Sequence, residues 1–188
     1  MVSGHGRMQI ERVISGGQSG VDLAGLRAAR SLSIPTGGTA PRLWMTEDGP
    51  APWLADFGLV ECQEPQTEPP ADRFGPEWRR WLATVWPPRT RANVAAADGT
   101  IWMGQIATPG YACTHDAALE IAVSYPWLVV YSGTRPSVVA DWIRAKGIRT
   151  LNCAGSRESR SPGIGVRAER FLTAVFRRLA GHPGETTR

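Results

Sequence analysis

Four loops rich in glycine, serine, threonine or arginine follow predicted strands, and the chemistry that they favour is anion binding. The first, residues 15–20, reads Ser-Gly-Gly-Gln-Ser-Gly and precedes a predicted helix that begins near Val21. Glycines let the backbone approach a ligand closely, and the first turn of a helix offers unpaired N–H groups to a phosphate. The loop lacks both the Gly-x-Gly-x-x-Gly spacing and a Walker lysine, so a tight structural turn is the alternative interpretation. Its candidate binding residues are Gly16, Gly17, Gln18, Ser19 and Gly20.

The second region brings an arginine and an amide close together in the sequence. A guanidinium can hold a phosphate through two parallel hydrogen bonds, and Asn93 can bond a base edge or the neighbouring backbone. Asp98 is followed by Gly99, and an Asp-Gly pair before a strand is equally typical of an ordinary turn. The candidates here are Arg89, Thr90, Asn93 and Asp98.

The third and fourth loops each lie before a predicted helix. Residues 108–114 end at the start of a predicted helix, and Thr114 is the expected cap of its first turn. Capping alone would explain a threonine at this position. Residues 152–159 place serines and an arginine between a strand end and a helix N-terminus, which favours an anion site over the alternative, a solvated basic loop. The candidates are Thr108, Gly110 and Thr114 in the third loop, and Asn152, Gly155, Ser156, Arg157 and Ser159 in the fourth.

The sequence predicts no catalytic and no metal-binding residue. His5 and His182 fall in predicted tails and His115 in a helix, so no histidine-centred triad is visible. The cysteines are far apart and show neither a Cys-x-x-Cys pair nor the spacing of zinc ligands. Cys113 and Cys153 can approach each other across adjacent strand ends, or both can be small buried hydrophobic residues.

An alternation of strands and helices positions these loops. Apolar spacing, glycines and prolines predict strands over residues 9–15, 100–103, 127–131 and 149–153, and helices over residues 21–30, 76–85, 90–97 and 114–124, with two more that begin near Pro136 and Pro162. Residues 35–49 read as a loop with a short strand at 43–45, and residues 61–75 as a surface loop. The predicted fold class is α/β, a Rossmann-like three-layer αβα domain with a mainly parallel sheet. Such sheets bind ligands at the carboxyl ends of their strands.

Composition favours one globular domain. A chain of 188 residues can bury a full core, and we expect one ligand-binding domain over residues 8–180 with flexible tails at 1–7 and 181–188. No apolar run approaches the roughly 20 residues of a membrane helix, and none follows the N-terminus, so we expect a cytoplasmic protein without membrane contact. The net charge of +4 comes from arginines spread along the chain, which disfavours direct nucleic-acid binding.

Three tryptophans lie close together in one predicted helical segment. Trp78, Trp81 and Trp86 predict packing on the core or at a subunit interface, and base stacking is the less favoured alternative. A subunit interface of this kind would make the protein a homo-oligomer.

The segments described above resemble the circularly permuted YpsA-like family, also labelled molybdenum carrier proteins, a Rossmann-like group related to DprA and to the lonely-guy phosphoribohydrolases. The resemblance runs from Val13 to about Leu179. The segments that carry it are residues 14–22 (Ile-Ser-Gly-Gly-Gln-Ser-Gly-Val-Asp), 47–49 (Glu-Asp-Gly), 89–90 with 93–94, 98–100, and 151–152 with 154–155 and 157–159.

The resemblance implies a Rossmann-like fold, homo-oligomerisation, and a cofactor of the nucleotide-derived or molybdopterin type. Two departures from the family pattern suggest that this ligand differs from that of better known members. Residues 37–41 read Gly-Gly-Thr-Ala-Pro in place of Gly-Gly-Trp-Cys-Pro, and residues 43–46 replace the usual basic run.

The related phosphoribohydrolases carry a glutamate in the motif Pro-Gly-Gly-x-Gly-Thr-x-x-Glu that takes part in cleavage of the N-glycosidic bond. The matching position here is Ala117, and Asp116 lies about 100° away around the helix. The resemblance therefore favours a ligand-binding or carrier protein over an enzyme. The alternatives are a hydrolase of nucleotides or nucleoside phosphates, and a nucleotide sensor that signals to a partner.

Overall fold

The computed structural model describes residues 10–73 and 75–180, and the predicted tails at 1–7 and 181–188 lie outside the described residues. The strands are β1 (Arg12–Ile14), β2 (Thr36–Ala40), β3 (Met45–Thr46), β4 (Gly49–Pro50), β5 (Leu59–Glu61), β6 (Gly99–Met103), β7 (Trp127–Val130) and β8 (Thr150–Gly155). The α-helices are α1 (Val21–Arg30), α2 (Pro76–Ala95), α3 (Pro109–Ile121), α4 (Pro136–Lys146) and α5 (Ile164–Leu179), and short 3₁₀ helices cover Arg42–Trp44 and Pro52–Phe57.

Six strands form one parallel sheet in the order β5-β2-β1-β8-β6-β7. β3 and β4 form a separate antiparallel hairpin, with Met45 opposite Pro50. All five residues of β6 are buried, as expected for a strand that is covered on both faces. The predicted α/β Rossmann-like fold class is confirmed.

Two layers of helices cover the sheet. α1, α4 and α5 pack together over a core that includes Leu151, Leu172 and Phe176, while α2 packs against α3. Right-handed crossovers require this division, because the chain moves in one direction along the sheet from β1 to β2 and in the opposite direction from β6 to β7. The helices of the two sets therefore lie on opposite faces and approach each other only at the ends of the strands.

The prediction of two separate helices between residues 76 and 97 was wrong, because α2 is continuous and contains Pro87 and Pro88. Each proline removes a backbone donor and would ordinarily end a helix. Tertiary contacts hold both halves in line. Trp81 is buried in the first half and Asn93 in the second, so each half is fixed independently of the prolines.

Smaller differences concern element boundaries. β2 forms where the sequence predicted a loop, β5 forms just before the predicted loop at 61–75, and α3 begins at Pro109 rather than near residue 114, because proline suits the first helical position. The last helix, predicted to begin near Pro162, begins two residues later, since α5 starts at Ile164 after Gly163 at a φ of 78°.

The carboxyl ends of β1, β6 and β8 meet at the middle of the sheet. From β1 the chain runs to β2 on one side, while β8 pairs with β1 on the other side, so the strand order reverses here. In open parallel sheets a crevice for a ligand forms outside the strand ends at such a reversal.

Candidate functional site

A cavity of about 440 Å³ lies at these strand ends, within the size range of small-molecule sites. Twelve predicted binding residues line it. They are Gly16, Gln18, Arg89, Thr90, Asn93, Thr108, Gly110, Thr114, Asn152, Gly155, Ser156 and Arg157. The first, third and fourth predicted loops therefore contribute to one pocket, and so does the predicted second region, whose residues Arg89, Thr90 and Asn93 lie in α2.

A buried ion pair joins α1 to α2 beside this cavity. Arg89 Nη1 lies 3.1 Å from Asp22 Oδ2, and the two side chains are only 15% and 6% exposed. Burial raises the pKa of Asp22, and the Arg89 guanidinium opposes this shift. Arg89 Nε is buried and makes no hydrogen bond within the described part of the chain. Gly16 lies directly beneath the guanidinium, and a Cβ at this position would overlap Arg89 Nη1.

Arg157 forms the second cationic group of the cavity. Its Cζ atom lies 4.5 Å from the ring centroid of Trp86, a cation–π distance, and its Nη1 lies 3.7 Å from Glu47 Oε2. Burial lowers the pKa of Arg157, and Glu47 acts in the opposite direction. An arginine in this setting stays charged at neutral pH.

Glu47, at the turn of the β3–β4 hairpin, accepts hydrogen bonds from several predicted binding residues. The hydroxyl groups of Ser19 and Ser159 both donate to its carboxylate, and the Ser159 N–H lies 3.3 Å from Oε1. Burial alone would raise the pKa of Glu47, but the bonds from Ser159 and Ser19 and the charge of Arg157 lower it overall. Ser19 and Ser159 are thus engaged by a side chain of the protein.

Gln18 connects the first loop to the same hairpin. Its Nε2 donates to Met45 O at 3.3 Å, and its Oε1 accepts from the Glu47 N–H at 3.0 Å. The amide is 2% exposed. Gln18 thus fixes the backbone of the hairpin while lining the cavity.

Asn93 bonds the neighbouring backbone, one of the two predicted possibilities. Its Oδ1 accepts from the Thr39 N–H at 2.7 Å, and its Nδ2 donates to Thr39 O at 2.9 Å. Asn93 is 2% exposed, and its two bonds anchor α2 to β2. Its amide is therefore not available to a base edge in this structure.

Ser156 and Asn152 also bond within the protein. Ser156 Oγ accepts from the Gln105 N–H at 2.9 Å, and Asn152 Nδ2 donates to Thr100 Oγ1 at 3.2 Å. Both are 5% exposed or less. They shape the cavity wall between β6 and β8.

Two glycines of the first loop are required by packing, and neither lines the cavity. Gly17 has a φ of 73°, and a Cβ there would lie 2.7 Å from Leu54 Cδ1. Gly20 has a φ of 85°, and a Cβ there would overlap the backbone at Ser156. Both glycines let the first loop approach other parts of the chain closely. Their backbone conformations are ones that residues with a side chain rarely adopt.

Asp98 is a correction to the predicted site. Its Oδ2 accepts from the N–H groups of Arg149 and Thr150, at 3.0 and 2.7 Å, where β6 and β8 begin. It therefore lies at the amino ends of the strands, across the sheet from the cavity. The Asp-Gly turn was the correct interpretation.

The threonines of the third loop act within α3. Thr108 Oγ1 caps the helix by accepting from the Tyr111 N–H at 3.1 Å, and Thr114 Oγ1 donates to Gly110 O at 2.8 Å. Thr108 and not Thr114 is the cap, because the helix begins earlier than predicted. The first turn of α3, with Gly110, faces the cavity.

The sequence prediction named Arg89, Thr90 and Asn93 but missed the earlier part of the cavity wall that α2 forms, at Arg79, Ala83, Trp86 and Pro87. The lining residues of this helix recur at helical spacing, but the prolines hid this pattern by suggesting that the helix ends. The lining residues of α2 are Arg79, Ala83, Trp86, Pro87, Arg89, Thr90 and Asn93. Asp22, Trp102, Gln105 and Arg160 also line the cavity and were not predicted.

Two of the three clustered tryptophans pack inside the chain. Trp78 and Trp81 stack with centroids 5.0 Å apart, and both are buried with Met45 and Val85. They leave little aromatic surface for a subunit interface, so homo-oligomerisation stays a prediction from the resemblance alone.

Cys113 and Cys153 both line the cavity as thiols. Burial raises the pKa of each, which keeps them protonated at neutral pH. Within residues 10–73 and 75–180, no group of three or more His, Cys, Asp and Glu side chains is arranged to hold a metal ion.

The chain matches a known protein family over most of its length. The model of the Circularly permutated YpsA SLOG family matches residues 13–74 and 79–176. The chain belongs to this family. The crystal structure of the Putative molybdenum carrier protein from Syntrophus aciditrophicus SB is similar, with 28% sequence identity and a TM-score of 0.70 over 89% of this chain and 94% of that one. No curated protein matches the chain.

Among the helices of residues 10–73 and 75–180, none combines the length and the apolar character of a membrane-spanning segment.

Replacing Asn93 with alanine should lower the free energy of unfolding by about 1–3 kcal/mol, because Thr39 loses partners for both its N–H and its C=O. Urea denaturation measures this change. Thr90→Ala is the matched control, since Thr90 also lines the cavity from α2 but bonds only Trp86 O of its own helix. Equal stabilities for the two variants would contradict the anchoring role of Asn93.

Proposed function

We propose that the cavity binds a small organic anion that carries a phosphate group and a planar ring, of the nucleotide-derived or molybdopterin type, and that the protein serves as its carrier. The observation that carries this proposal is the buried Arg89 Nε, which makes no hydrogen bond within the described residues at the edge of the cavity. A buried N–H of a charged group is costly unless a partner satisfies it. An oxyanion of a ligand is the natural partner for a guanidinium edge.

The charge of the cavity supports an anionic ligand. Four arginines line it, Arg79, Arg89, Arg157 and Arg160, and Asp22 is the only carboxylate of the lining within the described part of the chain. Asp22 already pairs with Arg89, so cationic charge remains in excess. Arginine suits phosphate better than lysine does, because its planar fork can make two parallel hydrogen bonds.

The apolar lining supports a ring. Trp86, Pro87 and Trp102 line the cavity, and small-molecule sites usually combine an apolar wall with a few polar groups that fix orientation. The pterin or base of the proposed ligand would contact this wall, while Arg89 would hold its phosphate. The name of the Syntrophus aciditrophicus protein supports the carrier role and the molybdenum-cofactor option.

Location and assembly belong to the proposal as well. Three free cysteines and no disulfide among the described residues suit the reducing cytoplasm. We further propose a homo-oligomer, on the family resemblance.

Arg89→Met should weaken ligand binding by about 1.5–3 kcal/mol, or roughly 10- to 100-fold in Kd, because it removes a charge-assisted hydrogen bond. Mass spectrometry of the small molecules released on heating identifies the ligand, and calorimetry with that compound and with a panel of nucleoside phosphates measures the Kd.

Arg91→Met is the matched control. This substitution removes the same charge from the same helix. In the parent, Arg91 pairs with Glu120 on the surface, outside the cavity. A second variant, Arg89→Met with Asp22→Asn, avoids leaving a buried carboxylate unpaired. If both Arg89 variants fold and bind as tightly as the Arg91 variant, the proposed site is wrong.

Hydrolysis of a nucleotide is the second candidate function, and one observation favours it. The Asp22 carboxyl lies in the cavity wall with a raised pKa, as groups that transfer protons often do. Against it, Asp22 is held by Arg89, and Ala117 is buried in an apolar cluster with Val94 and Ala118.

We expect the protein to release adenine from AMP no faster than buffer alone does. Among the described residues, the cavity lacks a free carboxylate for general acid–base catalysis, which typically accelerates such reactions by about 10²- to 10⁴-fold. Chromatography of the reaction products checks this. Steady turnover that Asp22→Asn abolishes, while Asp116→Asn on the exposed side of α3 preserves it, would establish the hydrolase instead.

A further inference from the structure

We propose that Glu47 is an internal anion that occupies a phosphoryl subsite of the cavity, and that a ligand must displace its carboxylate to bind there. This inference rests on the proposed function and names the residue that controls access to its anion site.

The groups around Glu47 are those of an oxyanion site. Two serine hydroxyls, one backbone N–H and one guanidinium converge on the carboxylate, from Ser19, Ser159 and Arg157. They come from two loops that follow parallel strands, the usual origin of phosphate sites in such folds. A phosphoryl group has three terminal oxygens and can accept from the same donors.

This subsite adjoins the cavity through Arg157, while Glu47, Ser19 and Ser159 are not themselves lining residues. Arg157 lines the cavity and also approaches Glu47, so a phosphate held by Arg157 lies next to the serines. Glu47 lies at the turn of the β3–β4 hairpin beside the exposed Asp48, so a change of its rotamer can move the carboxylate out of the subsite.

The balance of charge favours exchange of the carboxylate for a phosphoryl group. Glu47 supplies one negative charge, and its distance of 3.7 Å from Arg157 is longer than that of a strong charge-assisted hydrogen bond. Arg157 also experiences the nearby charges of Arg160 and Arg89. A phosphoryl dianion would supply a second charge to this cluster of three arginines.

The hairpin does not need the carboxylate to stay folded. Gln18 holds both Met45 O and the Glu47 N–H, and Trp86 Nε1 also donates to Met45 O at 3.1 Å. Thr46 Oγ1 closes the turn by donating to Gly49 O at 2.7 Å. The Glu47 side chain can therefore leave the subsite while its backbone remains in place.

Glu47→Gln tests the proposal, because it keeps the size of the side chain and removes its charge. Calorimetry at low ionic strength with pyrophosphate and with ADP should show binding about tenfold tighter than that of the parent. Asp48→Asn is the matched control. It removes the same charge from the next residue, which is exposed, and should change the Kd by less than about twofold.

Melting curves without ligand show whether each variant folds. If Glu47→Gln does not fold, Glu47→Asp replaces it, since the shorter carboxylate cannot reach both serines and should also bind pyrophosphate more tightly than the parent. The inference is overturned if a folded Glu47 variant binds pyrophosphate and ADP no more tightly than the parent does. The proposed function survives that result if the parent binds these ligands and Arg89→Met does not. If neither the parent nor the variants bind pyrophosphate or ADP, the inference fails, whereas the proposed function fails only if the parent also does not bind the compound released from it on heating.

Discussion

A buried ion pair is the interaction on which the cavity depends. Asp22 and Arg89 come from helices on opposite faces of the sheet and meet at the strand ends, where both are largely removed from water. Either charge alone would cost several kcal/mol at such a position. The pair therefore holds α2 against the first loop, and Gly16 is needed because the guanidinium lies on its backbone. One N–H of this fixed guanidinium is left without a partner among the described residues, and we propose that an anion binds there.

Arg157, another arginine of the cavity, has a different acidic partner. Arg157 rests on Trp86 and faces Glu47, which is carried on a hairpin outside the main sheet. Asp22 is carried on α1, which packs on the main sheet, whereas Glu47 lies at the turn of the two-stranded hairpin beside the exposed Asp48. The fold thus combines one fixed ion pair with one that we propose to be exchangeable, and this difference would allow the site to be closed without ligand.

The sequence predicted what depends on local signals. Strand, glycine turn and helix around residues 15–30 were recognisable from periodicity and glycine placement, and parallel-sheet topology then brought the first, third and fourth loops to one edge. Contacts between distant segments were not predictable in this way. Nothing local shows that Asn93 binds Thr39, that Glu47 binds Ser159, or that α2 continues through Pro87 and Pro88. Asp98 was misassigned because the same residue type serves a strand start as readily as a phosphate.

A crystal structure of the protein with its copurifying ligand or with ADP tests the central claim most directly. We predict a phosphate oxygen within about 3 Å of Arg89 Nε and a ring against Trp86. A ligand bound elsewhere, with Arg89 Nε still buried and without a partner, would contradict it.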